Sequence, residues 1–250
     1  MAKGGKARSR RAPRRWLWRL AGLAVLFGLA FAVWLWWDMR EWRPDPALYP
    51  EQGALVPARR VGDGAPVKFE TLKATGAQFV YLPLSGAAKS NFDGAGDHGN
   101  PFGDVFSAAR RSGLKVGVLL TFDPCLPADR QSGIFAENVP RDADLLPPAI
   151  GLERLADGCA PKVSDAAVES ELITLINQIE MHAGRPVILK LSPAFQERHR
   201  TATTLARDLW LARDRARPDY AGRPWLLWSA NSARVTEASE VPVEWVVVQK

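Results

Sequence analysis

The first 37 residues of this chain contain no Asp or Glu, and the whole of its 250 residues holds two cysteines, three histidines and no internal repeat. Each shortage excludes something. Two cysteines cannot staple a disulfide-built miniature scaffold, so a chain this long and 47% hydrophobic must be held by an ordinary core. The histidines, His98, His182 and His199, have no metal-ligand spacing to one another or to the cysteines; they read as surface residues, and neither a metal nor a cofactor is expected. Without a repeat, a solenoid or propeller is excluded. The formal charge of +6 suggests a polyphosphate partner until its distribution is read. Eight of the 33 basic residues precede position 38, which leaves 25 to face 27 acidic groups, so the remainder has no basic excess and no nucleic acid is expected as a partner.

What is present begins with an anchor. Residues 20–37 carry no charge, Pro or Asn, and at ~1.5 Å per residue they span most of a ~30 Å hydrocarbon layer. Trp16, Trp18, Trp34, Trp36 and Trp37 bracket the run as interfacial rings do. The run is longer than a signal peptide's apolar core and ends in bulky residues instead of a small-x-small cleavage site. The basic tail 1–19 is therefore assigned to the cytoplasm and 20–37 to a transmembrane helix. Residues 38–48, with Pro44 and Pro46, form a stalk, and residues 49–250 are exported. This predicts a single-pass inner-membrane protein with a periplasmic or otherwise extracytoplasmic C-terminal domain.

Beyond the stalk, short apolar runs alternate with helical patterns. Strands are predicted at 78–84, 115–122, 146–153, 186–191, 209–212, 225–228 and 243–248, and helices at 102–112 and 164–182, the latter capped by Ser164 and stopped by Gly184. That order implies an α/β fold, a β/α barrel that loses helices towards its C-terminal half. Gly94, Gly96 and Gly99 spell GxGxxG but do not lie between a strand and a helix, so they read as loop. Cys125 and Cys159 both fall in the exported part, where a bridge is permitted; two separate buried thiols are the alternative.

The order of segments resembles glycoside hydrolase family 25, the Chalaropsis-type lysozymes or N-acetylmuramidases. The resemblance rests on Tyr49, Pro50, Glu51, Gln52 and Gly53 at the entry to a first strand and on Val67, Lys68 and Phe69 before a second. It continues through AARRSGLKVG at 108–117, VPRDADLLPPAIGLE at 139–153, LWLAR at 209–213, and Pro224, Trp225, Leu226, Leu227 and Trp228. It implies a lysozyme-like irregular TIM-type barrel over 49–250, peptidoglycan as ligand, and a Cys125–Cys159 bridge between neighbouring loops.

The chemistry departs from that pattern. Glycoside hydrolysis by the usual routes uses two carboxylates in one cleft, and the family places an Asp-x-Glu pair at the C-terminal end of a barrel strand. Here the stretch reads Gly151, Leu152, Glu153, so the resemblance assigns Glu153 as general acid and leaves position 151 without a partner. The family's first-strand Asp corresponds to Leu55 within Leu55, Val56, Pro57, and near the end Glu244 keeps a charge where an Asp is replaced. Asp123 or Asp157 is the candidate substitute partner, and Phe122 and Trp228 are the candidate sugar-stacking rings. The expectation is a membrane-anchored, lysozyme-like domain directed at peptidoglycan with reduced or lost hydrolysis, its mouth holding Glu153 with no second carboxylate at ~5–9.5 Å. The alternatives are an active muramidase using Glu153 and a non-catalytic scaffold binding another envelope protein.

Overall fold

The computed structural model describes residues 14–56, 67–86 and 101–249. Gly94, Gly96, Gly99, His98 and Pro57 lie outside the described residues. The chain divides into two compact units, Met1–Glu41 and Trp42–Lys250.

In the first unit, α1 (Arg14–Glu41) is one continuous helix of 28 residues. At ~1.5 Å per residue it is ~42 Å long, the thickness of a bilayer with its headgroups. The window Arg19–Trp36 has mean hydropathy 1.8 and buries nothing within the protein. Leu23, Leu26, Phe27 and Trp34 are exposed, as side chains facing lipid would be.

In the second unit, eight strands close into a barrel in chain order. They are β1 (Gln52–Leu55), β2 (Phe79–Ser85), β3 (Lys115–Thr121), β4 (Ala149–Leu152), β5 (Ile188–Leu191), β6 (Asp208–Ala212), β7 (Leu227–Thr236) and β8 (Ser239–Val248). β1 to β7 pair in parallel, while β8 runs antiparallel to both β7 and β1. The reversal follows from the connection: only Glu237 and Ala238 separate β7 from β8, too few for a crossover, so the two strands make a hairpin. Around the parallel part lie α2 (Phe69–Ala74), α3 (Pro101–Arg111), α4 (Ala128–Asn138), α5 (Asp165–Ala183), α6 (Pro193–His199) and α7 (Thr201–Thr204). The sequence patterns located α3 and α5 but not α4 or α6. Ser164 Oγ accepts from the Ala167 amide at 3.2 Å at the start of α5, and Gly184 ends the helix at φ +69°, the left-handed geometry a side chain resists.

Chain preceding β1 also packs on the outer face of the barrel near β7 and β8. Trp42 packs against the outer core and its carbonyl accepts from Asn231 Nδ2 at 2.9 Å. Buried Gln52 donates to the carbonyls of Pro44 and Tyr49 and accepts from Trp245 Nε1 at 2.7 Å. Residues 38–48 are thus no free stalk: Asp38 to Glu41 continue α1, and Trp42 is already part of the barrel unit.

Strand alternation divides the core in two. Leu55, Phe79, Tyr81, Leu119, Ala149, Ile188, Trp210, Leu227 and Val246 fill the barrel interior. Gly117 has no side chain because a Cβ there would stand 2.4 Å from the Tyr81 ring. Residues of opposite parity, among them Leu120, Ile150, Leu189 and Leu211, pack outwards under the helices. Phe122 and Trp228 belong to this outer set, at 1% and 3% exposure, so neither offers a face to a sugar. Trp228 packs on Tyr49 and Trp225 and donates to the Arg213 carbonyl at 2.8 Å. This corrects their assignment as stacking rings: Leu227 and Ser229 carry the inward parity, and the residue between them must face out.

Cys125, in the β3–α4 loop, and Cys159, after β4, form a disulfide with Cα atoms 5.2 Å apart. Bridging across a sequence separation of 34, it should contribute about 3–4 kcal/mol in the chain-entropy description, so Cys125→Ser with Cys159→Ser should lower the denaturant-unfolding free energy by that amount. Trp228→Ala should cost about 3–5 kcal/mol in the same measurement through the cavity it leaves. A Trp228→Ala protein as stable as wild type would contradict the outer-core placement.

Candidate active site

The C-terminal ends of the parallel strands surround a cavity of about 240 Å³. Leu55, Val56, Pro83, Leu119 and Pro242 give it an apolar wall, and Thr121, Glu153, Lys190, Ser232 and Glu244 a polar one. Registry explains which side chains meet there. Thr121 on β3 pairs with Gly151 on β4, Gly151 with Lys190 on β5, and Lys190 with Trp210 on β6. Trp210 faces the interior, so the row faces the interior, and Glu153 lies two residues beyond Gly151 on the same side.

Lys190 is the centre of the site. Its side chain is 8% exposed, and its Nζ donates to Glu153 Oε1 at 2.7 Å and to Glu244 Oε2 at 3.3 Å. Those distances place the two carboxylate oxygens no more than about 6 Å apart. The other oxygen of Glu244 accepts from Ser229 Oγ, which accepts in turn from Trp210 Nε1 at 2.6 Å. A hydrogen-bonded chain therefore runs from an indole deep in the barrel to Glu153 at its rim, where the Glu153 side chain is 54% exposed. Burial alone disfavours the Lys190 ammonium, but the charges of Glu244 and Glu153 outweigh it and hold its pKa above the usual amine value. Stability from a pKa raised on folding is fully present below the unfolded value of 10.5 and is lost only as pH rises through the folded one. The Lys190 ammonium thus stays charged throughout the neutral range.

The second carboxylate at the mouth corrects the expectation that Glu153 would stand alone. It is Glu244, not Asp123 or Asp157. Asp123 accepts from Arg154 at 2.7 Å and from the Cys125 amide at 2.9 Å, which ties the β3–α4 loop beside the disulfide. Asp157 pairs with Arg198 at 3.2 Å. Arg154 is thereby engaged with Asp123 and not with Glu153. Leu55 lies in the interior cluster and lines the cavity with carbon alone. A Cβ built on Gly151 would meet Leu119 and the Leu120 carbonyl no closer than 3.7 Å, so the backbone does not require glycine there. Among the described residues no group of His, Cys, Asp and Glu could hold a metal ion. His199 is not the surface residue expected: it is buried on Phe195, with Nδ1 3.4 Å from Glu169. His182 is half-buried, its Nε2 2.8 Å from the Val139 carbonyl.

Lys190 escaped the sequence reading. Its signal was parity: in Ile188, Leu189, Lys190, Leu191 the lysine shares a face with Ile188, which is an interior position. Glu244, between Val243 and Trp245, carries the same kind of signal.

Comparison with known proteins agrees with this architecture. The sequence matches the family model Glycosyl hydrolases family 25 over residues 63–236. A family 25 glycosyl hydrolase from Bacillus anthracis superposes with a TM-score of 0.68 at 19% identity, covering 84% of this chain and 93% of its own. The bacterial lysozyme from Streptomyces coelicolor gives 0.63 at 15% identity, covering 80% and 92%, and a family GH25 lysozyme from Aspergillus fumigatus gives 0.60 at 17%, covering 80% and 94%. No curated protein sequence matches the chain. With the family's pattern spanning most of the sequence and its barrel shared by these structures, the chain belongs to glycosyl hydrolases family 25.

Proposed function

We propose that this protein is a membrane-anchored, lysozyme-like barrel directed at peptidoglycan, with hydrolysis reduced or lost. Family membership and the likeness to lysozymes supply the substrate class. The observation that carries the loss is that the two interior-facing positions at which the family resemblance expects aspartates, 55 and 151, hold Leu and Gly, while Asp123 and Asp157 are engaged elsewhere. Hydrolysis breaks the bond between the anomeric carbon and the bridging oxygen; that oxygen takes a proton from the acid, and water adds its hydroxyl to the carbon while the base takes its remaining proton. Glu153, at the rim, is the group assigned to the acid step. Leu55 and Gly151 can neither stabilise the developing sugar cation nor activate water.

A second reading, an active muramidase, is favoured by one observation: a second carboxylate, Glu244, stands no more than about 6 Å from Glu153, below the upper end of the ~5–9.5 Å over which paired carboxylates operate. Release of reducing ends from purified peptidoglycan decides between the two. The expected result for wild type is turnover at the assay floor, since removing a catalytic group costs several powers of ten, each about 1.4 kcal/mol of barrier. Clear wild-type activity abolished by both Glu153→Gln and Glu244→Gln would install the second reading. With Phe122 and Trp228 buried, the described cavity wall carries no aromatic ring. Sedimentation with insoluble peptidoglycan therefore separates a glycan-holding barrel from a scaffold for an envelope protein; co-sedimentation is expected.

The anchor and its orientation rest on α1 and on the eight basic residues that precede position 38. A periplasm-dependent reporter fused after Lys250 should be active and the protein should stay with membranes through a high-salt wash. Activity from a cytoplasm-dependent reporter at the same site would reverse the orientation.

A further inference from the structure

We infer that Lys190 is a built-in occupant of the cleft: its ammonium holds both carboxylates of the mouth, Glu153 and Glu244, where a glycosidic bond would have to lie. This deepens, and rests on, the reading of reduced hydrolysis.

Gly151 and Lys190 are register partners on adjacent parallel strands, so their side-chain directions are shared and any side chain at 151 runs beside the lysine stem. A Cβ at 151 has ordinary contacts only, with Leu119 and the Leu120 carbonyl, so the glycine answers no backbone demand and an acid can be placed there beside Lys190. Lys190 reaches both carboxylates, at 2.7 and 3.3 Å, with its side chain almost wholly buried. A hydrolase needs its two carboxylates to flank the scissile bond with nothing between them but substrate or water. Here a protein cation is bound to both. It also carries the sign of charge that the sugar acquires at the transition state, so any substrate entering would develop its positive charge against an ammonium already paired to both acids. Steric filling and charge thus act together, and restoring an acid at 151 alone leaves the obstruction in place, because Lys190 is the group nearest to pair with it.

The test uses the full-length chain in detergent micelles, with reducing-end release from peptidoglycan as readout and thermal melts to verify folding. Gly151→Asp alone should stay at the assay floor. Gly151→Asp with Lys190→Gln, which removes the charge but keeps a polar side chain of similar reach, should rise at least tenfold above it. Gly151→Asp with Lys190→Arg, which keeps the charge, should remain silent. Equal rates for the Gln and Arg double variants, whether both active or both silent, would overturn the inference, as would a gain from Gly151→Asp alone equal to that of the Gln double variant. If the Gln double variant does not fold, Gly151→Asp with Lys190→Met and Glu244→Gln removes the cation together with one of the carboxylates it leaves unpaired, and the same rise is expected; its silence overturns the inference. Wild type well above the floor would end the reading of lost hydrolysis alone. The occupant inference then requires Lys190→Gln to raise kcat over wild type, and an unchanged or lower kcat sinks it.

Discussion

A buried ammonium needs compensating charge, and the arrangement of this barrel's mouth follows from how Lys190 obtains it. An uncompensated charge removed from water carries a penalty of several kcal/mol, so a lysine on the inner face of a barrel persists only where acids reach it. Glu153 arrives from the end of β4 and Glu244 from β8, two strands on different sides of β5 in the closed order. Only closure brings them together: in an open sheet the eighth strand would lie far from the fourth. Glu244 is in turn fixed by Ser229 and, through it, by the Trp210 indole. The position of Glu244 at the mouth is therefore set from below by the packed interior.

That dependence explains why the fold was more legible than the site. Helix and strand periods follow from local alternation, so α5 and most strands were found within a few residues of their observed bounds, Ser164 and Gly184 marking the ends of α5 by their own local chemistry. The missed helix α4 has a weak local signature: its first residue follows Pro127, its N-cap, with no side-chain cap bond, and its buried positions are only Ala128, Gln131, Ile134 and Phe135. The hairpin strands β7 and β8 run longer than their apolar segments, because their far ends pair with one another through shifted registers and need no continuous apolar face.

The site resisted for a different reason. Chain order says which residues are charged; parity within a closed barrel says which of them meet. Phe122 and Trp228 were chosen as aromatics near strand ends, yet a one-residue difference in phase puts them under the helices. Lys190 and Glu244 interrupt apolar strands, and the same phase rule sends them inwards. Glu153 was legible because resemblance placed it, while its partnership with Lys190 depended on the register of β4 against β5, which no local pattern states. Asp123 shows the converse: placed just past the end of β3, it serves the Arg154 pair and the Cys125 turn instead.

The substitutions at the mouth also bear on stability. Leu55 joins Leu119, Tyr81 and Trp210 in the interior cluster, so where the family resemblance expects an acid the apolar packing extends upward by one side chain. Burying a leucine contributes about 1.5–3 kcal/mol, whereas an acid in the same surroundings would need its own compensating partners. An active cleft holds polar groups in a geometry that serves the reaction and not the resting fold, and giving up the reaction releases that constraint. Leu55 and the Lys190 cluster each satisfy the folded state within the protein itself, one by apolar contact and the other by paired charge, as the proposed loss of hydrolysis would allow.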